Sequence, residues 1–375
     1  MKKIAVLLIL VVIALWLGSF FWKNLKSEAP KNTNLKSPTK NSFATQERVS
    51  VIAEGLDVPW SIAILPDKSM LATERRGTLR FIDKNGSLAS SPVATIDDVK
   101  QVGEGGLLGI IIHPNFQNNH YVYIYYTYSS NGVNTLNRVV RFTFDGTSIG
   151  DEKIIIEKIP GGLFHDGGRI KFGPDGFLYI TTGDATTSSL AQNKNSLAGK
   201  ILRLTDEGKI PSDNPFGTAI YSFGHRNPQG ITWDSDGNLW ETEHGPSGIW
   251  PNCCQDEINL IEKARNYGWP DSVGDKLQPG TKAPTLHSAR DIWAPGSAAY
   301  LNGSIFFGGL RGVALYEYRI SDKKLITHLK DEFGRIREVV VGPDGFLYLT
   351  TSNKDGRGTP AKMDDRIIRI NPQKL

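Results

Sequence analysis

The segment GPDGFLYITTGD (173–184) returns almost intact as GPDGFLYLTTSN (342–353). Weaker copies are LPDKSMLATERRG (65–77) and DSDGNLWETEHG (234–245). Each joins a polar turn to an alternating run. The Asp-Gly step supplies the positive-φ residue of a tight turn, and the alternation buries one strand face. The turn aspartates Asp67, Asp175, Asp236 and Asp344 are spaced by 108, 61 and 108 residues. Half of 108 is 54, so each long gap hides one more copy. NNHYVYIYYTYSS, near Asn118, and LNGSIFFGGLRG, near Asn302, fill the two gaps. Six copies over 47–375 give one unit per ~55 residues, the mark of a propeller, whose blades cannot bury both faces alone. The expected fold is an all-β six-bladed β-propeller over 47–375. Its chemistry belongs where loops from several blades converge.

Composition narrows the function. Two Cys exclude a disulfide scaffold and a Cys-rich zinc fold. The net charge of +4 comes from the N-terminal tail, where Lys2, Lys3, Lys23, Lys26, Lys31, Lys36 and Lys40 face one acid, Glu28. Residues 47–375 hold 36 basic and 38 acidic side chains, which is no nucleic-acid binder.

Lys2-Lys3 precede an uncharged apolar run of 19 residues, 4–22, long enough to span a bilayer as one helix. It ends in Phe20, Phe21 and Trp22, with no small-x-small cleavage site and no lipoprotein Cys. Residues 1–22 read as an uncleaved signal anchor, with a cleaved signal peptide as the alternative. Residues 23–46 read as a flexible polar tether. The body is placed outside the cytoplasm, tethered to the membrane. The lysine count runs against a simple positive-inside rule, but long domains translocate largely regardless of charge.

Four segments carry candidate chemistry. SFGHRNPQGI (222–231) packs His225, Arg226, Asn227 and Gln229 between Gly224 and Gly230. Such planar groups suit a flat ligand dense in carbonyl and carboxylate oxygens, or a polar network tying two blades together. FHDGGRIKFGPDG (164–176) sets His165 before Gly167-Gly168, where glycine lets a substrate approach the backbone. His165 is either a general base or a structural histidine, and Asp184 either orients it or caps a turn. EHGPSGIWPNCCQDEIN (243–259) offers backbone carbonyls that suit Ca²⁺, and the adjacent acids Asp256 and Glu257 serve either a second Ca²⁺ or a plain surface. Cys253 and Cys254 form either a vicinal disulfide or incidental thiols. Arg335 and Arg337 share one strand face, as a carboxylate clamp or an exposed edge. GEGGLLGIIIHPNF (103–116) lacks the helix and Lys of a phosphate loop. The aromatics of 121–128 read as core.

Taken in order, GLDVPWSIAILPD, GEGGLLGIIIHPNF, HDGGRIKFGPDGFLYITTGD, LAGKILRL, SFGHRNPQGI, EHGPSG, QDEINLIEKARNYGWP and RIREVVVGPDGFLYL resemble the soluble glucose/sorbosone dehydrogenase family of PQQ-dependent aldose sugar dehydrogenases, across about 49–371. The resemblance implies a six-bladed propeller that oxidises aldose sugars at C1 to lactones, using PQQ and Ca²⁺, with electrons passed to an external acceptor. It implies His165 as general base, Asp184 as its support and Arg226 near the reducing quinone oxygen. It implies Arg226, Asn227, Gln229, Arg335 and Arg337 as cofactor-binding groups. Gly245 and Pro246 would offer carbonyls to the Ca²⁺ at PQQ, and Glu257 and Tyr267 would serve a second, structural Ca²⁺. The chain departs from the family in four places: at two further cofactor-binding positions Glu104 stands where many relatives have Gln, adding negative charge near an anionic cofactor, and Arg311 stands where Lys is common; Ser352 stands where some have Asp; and Cys253-Cys254 with IWPN enlarge the loop after the Ca²⁺ turn. Two other readings are a non-catalytic Ca²⁺-stabilised propeller that binds a glycan or protein, and a Ca²⁺-dependent lactonase. The lactonase needs several side-chain acids on its metal, and the sequence shows none converging.

Overall fold

The computed structural model describes residues 47–129, 132, 134–246 and 253–375. The expected anchor (1–22) and tether (23–46) lie outside them. Among the described residues no helix is long and apolar enough to cross a membrane.

Six four-stranded antiparallel sheets form the body. Their innermost strands are Pro59–Ile64, Leu107–Ile112, Ile170–Phe172, Pro228–Trp233, Pro295–Leu301 and Ile336–Val341. Each packs against the inner strands of both neighbours, so the six close a ring. In five blades the strands follow chain order outward; in the sixth the outermost strand is Val49–Ala53, paired to Ile367–Ile370. The first strand thereby joins the last blade and closes the circle.

Burial explains the ring. The apolar residues divide into six clusters, one per blade–blade interface. One joins Leu71 and Leu79 of blade 1 to Val122 and Tyr126 of blade 2, and another joins Tyr179 and Ile201 to Ile231 and Leu239. Tyr123 and Tyr125 point into the next cluster round. The alternating aromatics of 121–128 are therefore core on both faces. Each fully buried Leu or Ile contributes about 1.5–3 kcal/mol, available only once a neighbouring blade covers it.

All six repeat copies fall at the hairpin between a blade's first and second strands, including the two that fill the gaps. In blades 3 and 6 the turn aspartate accepts a backbone N–H, the tyrosine hydroxyl of the second strand and an arginine. Asp175 bonds Tyr179 and Arg203, and Asp344 bonds Tyr348 and Arg369. In blade 4 this role passes from Asp236 to Asp234, which takes Trp240 Nε1 at 2.8 Å. An indole N–H reaches less far than a phenol hydroxyl, so the acceptor moves.

One ion pair crosses the ring's centre. Arg169 Nη1 donates to Glu338 Oε2 (2.6 Å) and Ser61 Oγ (2.9 Å), and its Nε donates to the Gln229 carbonyl (3.0 Å). Blades 1, 3, 4 and 6 meet at one buried guanidinium.

Candidate active site

Antiparallel pairing fixes where the chemistry lies. The start of a first strand and the end of a second strand fall at the same end of the ring. His165, Arg226, Asn227, Glu104 and Arg335 precede or begin first strands, while Asp184, Gly245, Pro246 and Arg311 follow second strands. All of them gather at one end, and the Asp-Gly turns mark the other. A cavity of about 500 Å³ there is lined by Glu104, His165, Arg226, Asn227 and Arg311, among others. Beside it lies one lined by Gln229, Gly245, Pro246, Arg335 and Arg337, with Glu104 and Arg311 shared.

His165 Nδ1 lies 2.7 Å from Asp184 Oδ1. A carboxylate only accepts, so Nδ1 carries the hydrogen, and in the neutral ring the lone pair is then on Nε2. Asp184 is itself held: Oδ1 accepts Thr186 N (2.8 Å) and Oδ2 accepts Trp269 Nε1 (2.8 Å). Gly167 and Gly168 do not admit a substrate. A Cβ on Gly167 would lie 2.6 Å from the Thr181 carbonyl and one on Gly168 would lie 2.8 Å from Leu108, so both press the loop onto its own and the preceding blade.

Arg226 is buried, donates to the His244 carbonyl (3.2 Å) and stands 5.3 Å from the Trp269 ring. Burial lowers its pKa, opposed by Asp184 and Glu243. Arg335 and Arg337 are buried, not an exposed edge. Asp355 holds Arg335 through Nε and Nη2, at 3.1 and 2.8 Å. Arg337 donates to Gln229 Oε1 (3.1 Å), and burial lowers its pKa to about 9. Ser352, where an acid stands in some relatives, donates to Asp355, which supplies the carboxylate three residues on.

Glu104 does not add net charge to the site. Its Oε1 pairs with Arg357 Nη1 at 2.6 Å. Burial opposes its ionisation, but His244, charged at the low pH where Glu104 titrates, and Arg357 outweigh burial and hold the carboxyl at about 2.

The residues present fit a planar anionic cofactor. Arg226 Nε, Asn227 Nδ2 and His244 Nε2 are buried without a hydrogen-bond partner among the described residues. Burial costs the guanidiniums, and an anion would repay it. Among the described residues no N–H reaches the carbonyls of Gly245 or Pro246, and carbonyl oxygens of this kind suit a hard cation.

The expected second metal pair meets in a smaller cavity of about 10 Å³, lined by Glu243, Gly245, Glu257 and Tyr267. The Tyr267 hydroxyl is already used, donating to the Leu260 carbonyl (2.7 Å) and accepting Glu262 N (2.9 Å), so only its backbone oxygen is left to offer. Asp256 is neither ligand nor plain surface: buried, it accepts the N–H groups of Gly245, Trp293 and Ala294. Side-chain acids do converge here, contrary to the sequence reading. Glu243 pairs across the sheet with Glu257, Glu241 with Asn259, and His225, Glu241 and Glu243 bring ligand atoms within 4.8 Å of one another. The space holds about one water or ion and no organic substrate, so this is no hydrolytic centre.

His244, Trp269, Asp355 and Arg357 join the site unforeseen. His244 follows Glu243 in a motif read for its carbonyls, its side chain weighed only in a weak zinc reading with Cys253 and Cys254, and Trp269 stands next to last in NYGWP. Asp355 and Arg357 lie past the repeat, where no pattern marks them.

The sequence profile of the glucose/sorbosone dehydrogenase family matches residues 56–368. The chain is 32% identical over 344 residues to the aldose sugar dehydrogenase YliI of Escherichia coli K12, covering 82% of this chain and 91% of that protein. Among solved structures, a putative glucose dehydrogenase of Thermus thermophilus superposes with a TM-score of 0.80 at 43% identity, over 86% of this chain and 99% of that one. The PQQ-bound aldose sugar dehydrogenase of Streptomyces coelicolor gives 0.78 at 38% identity, over 86% and 97%. With a ring of six blades, an Asp-held histidine and a cluster of buried arginines at one mouth, the chain belongs to the glucose/sorbosone dehydrogenase family of oxidoreductases.

Proposed function

We propose that the protein oxidises aldose sugars at C1 to lactones, with PQQ and Ca²⁺, and passes the electrons to an external acceptor from outside the cytoplasm. One observation carries this reading: the Asp184-held imidazole of His165 lines the same cavity as Arg226 and Arg311, beside the Arg335–Arg337 pair.

A bound PQQ would supply the hydride acceptor for C1, and a bound Ca²⁺ would supply Lewis acidity to it. Arg335, Arg337, Arg311, Asn227 and Gln229 would hold the cofactor's oxygens, and the Gly245 and Pro246 carbonyls would hold the metal. His165 Nε2 takes the proton of the C1 hydroxyl, while Asp184 stabilises the imidazolium that forms. Arg226 offers positive charge where negative charge grows. Glu257, Glu243 and the Tyr267 carbonyl would serve a second, structural Ca²⁺.

The test is titration of the apo-protein with PQQ and Ca²⁺, read by absorbance and by dye reduction with aldoses. Turnover is expected, and His165→Ala should abolish it while cofactor uptake and folding persist. Cofactor uptake without turnover on any aldose would point to a binding propeller, and lactone hydrolysis with metal alone would point to a lactonase.

A further inference from the structure

Cys253 and Cys254, the chain's only cysteines, are bonded to each other. Both are buried, and both line the cavity of Arg335, Arg337 and Gln229. The chemistry above uses neither. Bonded sulfurs donate nothing and present a soft, polarisable surface that suits an aromatic face.

The same segment backs a proposed metal-holding turn. A Cβ on Gly245 would lie 1.9 Å from the Cys254 carbonyl oxygen and 2.3 Å from that of Gln255. Gly245 N also donates to Asp256 Oδ1 at 2.9 Å, and Asp256 Oδ2 is pinned by the backbone of Trp293 and Ala294. Gly245 thus rests directly on the 253–256 segment.

A bond between residues one apart closes almost no loop. Stabilisation through the unfolded chain grows with loop length, so this bond adds little to global stability. Its constraint is local, and it falls on the cavity wall.

We propose that the Cys253–Cys254 disulfide is a positioning element of the cofactor cavity. Its sulfurs form an apolar face on which the planar cofactor packs, and the bond fixes the turn that holds Gly245. This rests on the PQQ and Ca²⁺ reading above.

The test uses the full chain as wild type, Cys253→Ser/Cys254→Ser and Cys253→Ala/Cys254→Ala. Apo-protein is titrated with PQQ at fixed Ca²⁺, and with Ca²⁺ at fixed PQQ, read by tryptophan quenching. Both variants should bind PQQ about tenfold more weakly. They should need more Ca²⁺, while their apo unfolding midpoints stay within about 2 °C of wild type. A phosphine in water, later removed, converts the wild-type bond to two thiols and itself to phosphine oxide. This should reproduce the loss, with two thiols counted per chain, and reoxidation by an excess of a small-molecule disulfide, itself reduced to two thiols, should reverse it. Equal PQQ affinity in all forms overturns the proposal, and so does a fall in apo stability that tracks the fall in affinity. Failure of the wild type to take up PQQ overturns the cofactor reading, and this inference with it.

Discussion

His165 Nδ1 and Asp184 Oδ1 stand 2.7 Å apart, and both oxygens of Asp184 meet donors: Oδ1 also accepts Thr186 N, and Oδ2 accepts Trp269 Nε1. An amide in its place must point its NH₂ at one of them. Asp184→Asn therefore either keeps its oxygen on His165 and Thr186 and loses Trp269, or turns its NH₂ to His165, which must then accept at Nδ1 and carry its hydrogen on Nε2; in both cases the charge that stabilises the imidazolium is gone. We expect kcat to fall about 10²–10⁴-fold. PQQ affinity, measured by quenching, should stay within about twofold, since the carboxylate does not line the cofactor cavity. Unchanged kcat would remove His165 as the base.

Trp269 ties the base to the charge clamp, because its Nε1 holds Asp184 and its ring lies 5.3 Å from the Arg226 guanidinium. Trp269→Phe keeps the ring and loses the donor. A hydrogen bond to a charged group contributes about 1.5–3 kcal/mol, so kcat should fall roughly 10–100-fold with PQQ binding preserved. Trp269→Leu also frees Arg226 and should weaken PQQ binding. If both substitutions act alike, the donor is not the part that matters.

The blade count was legible because an Asp-Gly turn needs a particular backbone and strands need alternation, and both leave marks at fixed spacing. All six copies proved to be first-to-second-strand hairpins. His165, Arg226 and the Arg335–Arg337 pair were legible for another reason: each lies in a short segment dense in charged or planar groups. Asp355 and Arg357 carried no such mark. Arg357 matters through the ring, which sets a blade 6 loop against Glu104 of blade 2, and Asp355 through that loop folding back onto Arg335 of its own blade, contacts made by folding and not by neighbours in sequence. The convergence of Glu241, Glu243 and Glu257 was hidden for the same reason, since it depends on the register of two strands. The Asp236-to-Asp234 exchange turns on the reach of one side chain, which no alignment of turns reveals.

Glu104 and Arg357 give a test of electrostatic tuning. The carboxyl is held at about 2, so it is ionised through the working range. A depressed carboxylate pKa stabilises the fold above the unfolded value of about 4.3, and the gain is lost as pH falls toward 2. Glu104→Gln frees the Arg357 charge beside an anionic cofactor while keeping an acceptor for His165 N. PQQ should bind about tenfold more tightly. The ratio to wild type should be flat from pH 5 to pH 9, and a step inside that range would show that Glu104 titrates there.

Burial raises Glu243 to about 8, against the pull of Arg226, and raises Glu257 to about 8 with help from Glu243. In the apo-protein both carboxyls therefore hold protons that the unfolded chain has lost. Apo stability should fall as pH rises from about 4.3 through 8. A cation in this pocket must displace those protons. Ca²⁺ affinity should rise over the same range, with about one to two protons released per ion. Calorimetry in two buffers of different ionisation heat counts them. Binding without proton release would place the cation elsewhere.

The pair at the ring's centre sets a limit on the whole fold. Glu338 and Arg169 are both fully buried, 2.6 Å apart, and Arg169 also holds Ser61 and the Gln229 carbonyl. Glu338→Ala leaves a buried guanidinium without its counter-charge and should cost about 3–5 kcal/mol. Glu338→Gln keeps an acceptor and should cost less. Replacing both residues by apolar groups, Arg169→Met with Glu338→Leu, should recover part of the loss, because no charge is then stranded. Since Arg337 precedes Glu338 on the same inner strand, the single Ala variant should also weaken PQQ binding, and the double replacement should restore it in step with stability. Denaturant unfolding of the three variants, alongside PQQ titration, separates a stranded charge from a lost contact: if the double replacement is no more stable than Glu338→Ala, the pair's own attraction, rather than the burial of a lone charge, holds the centre together.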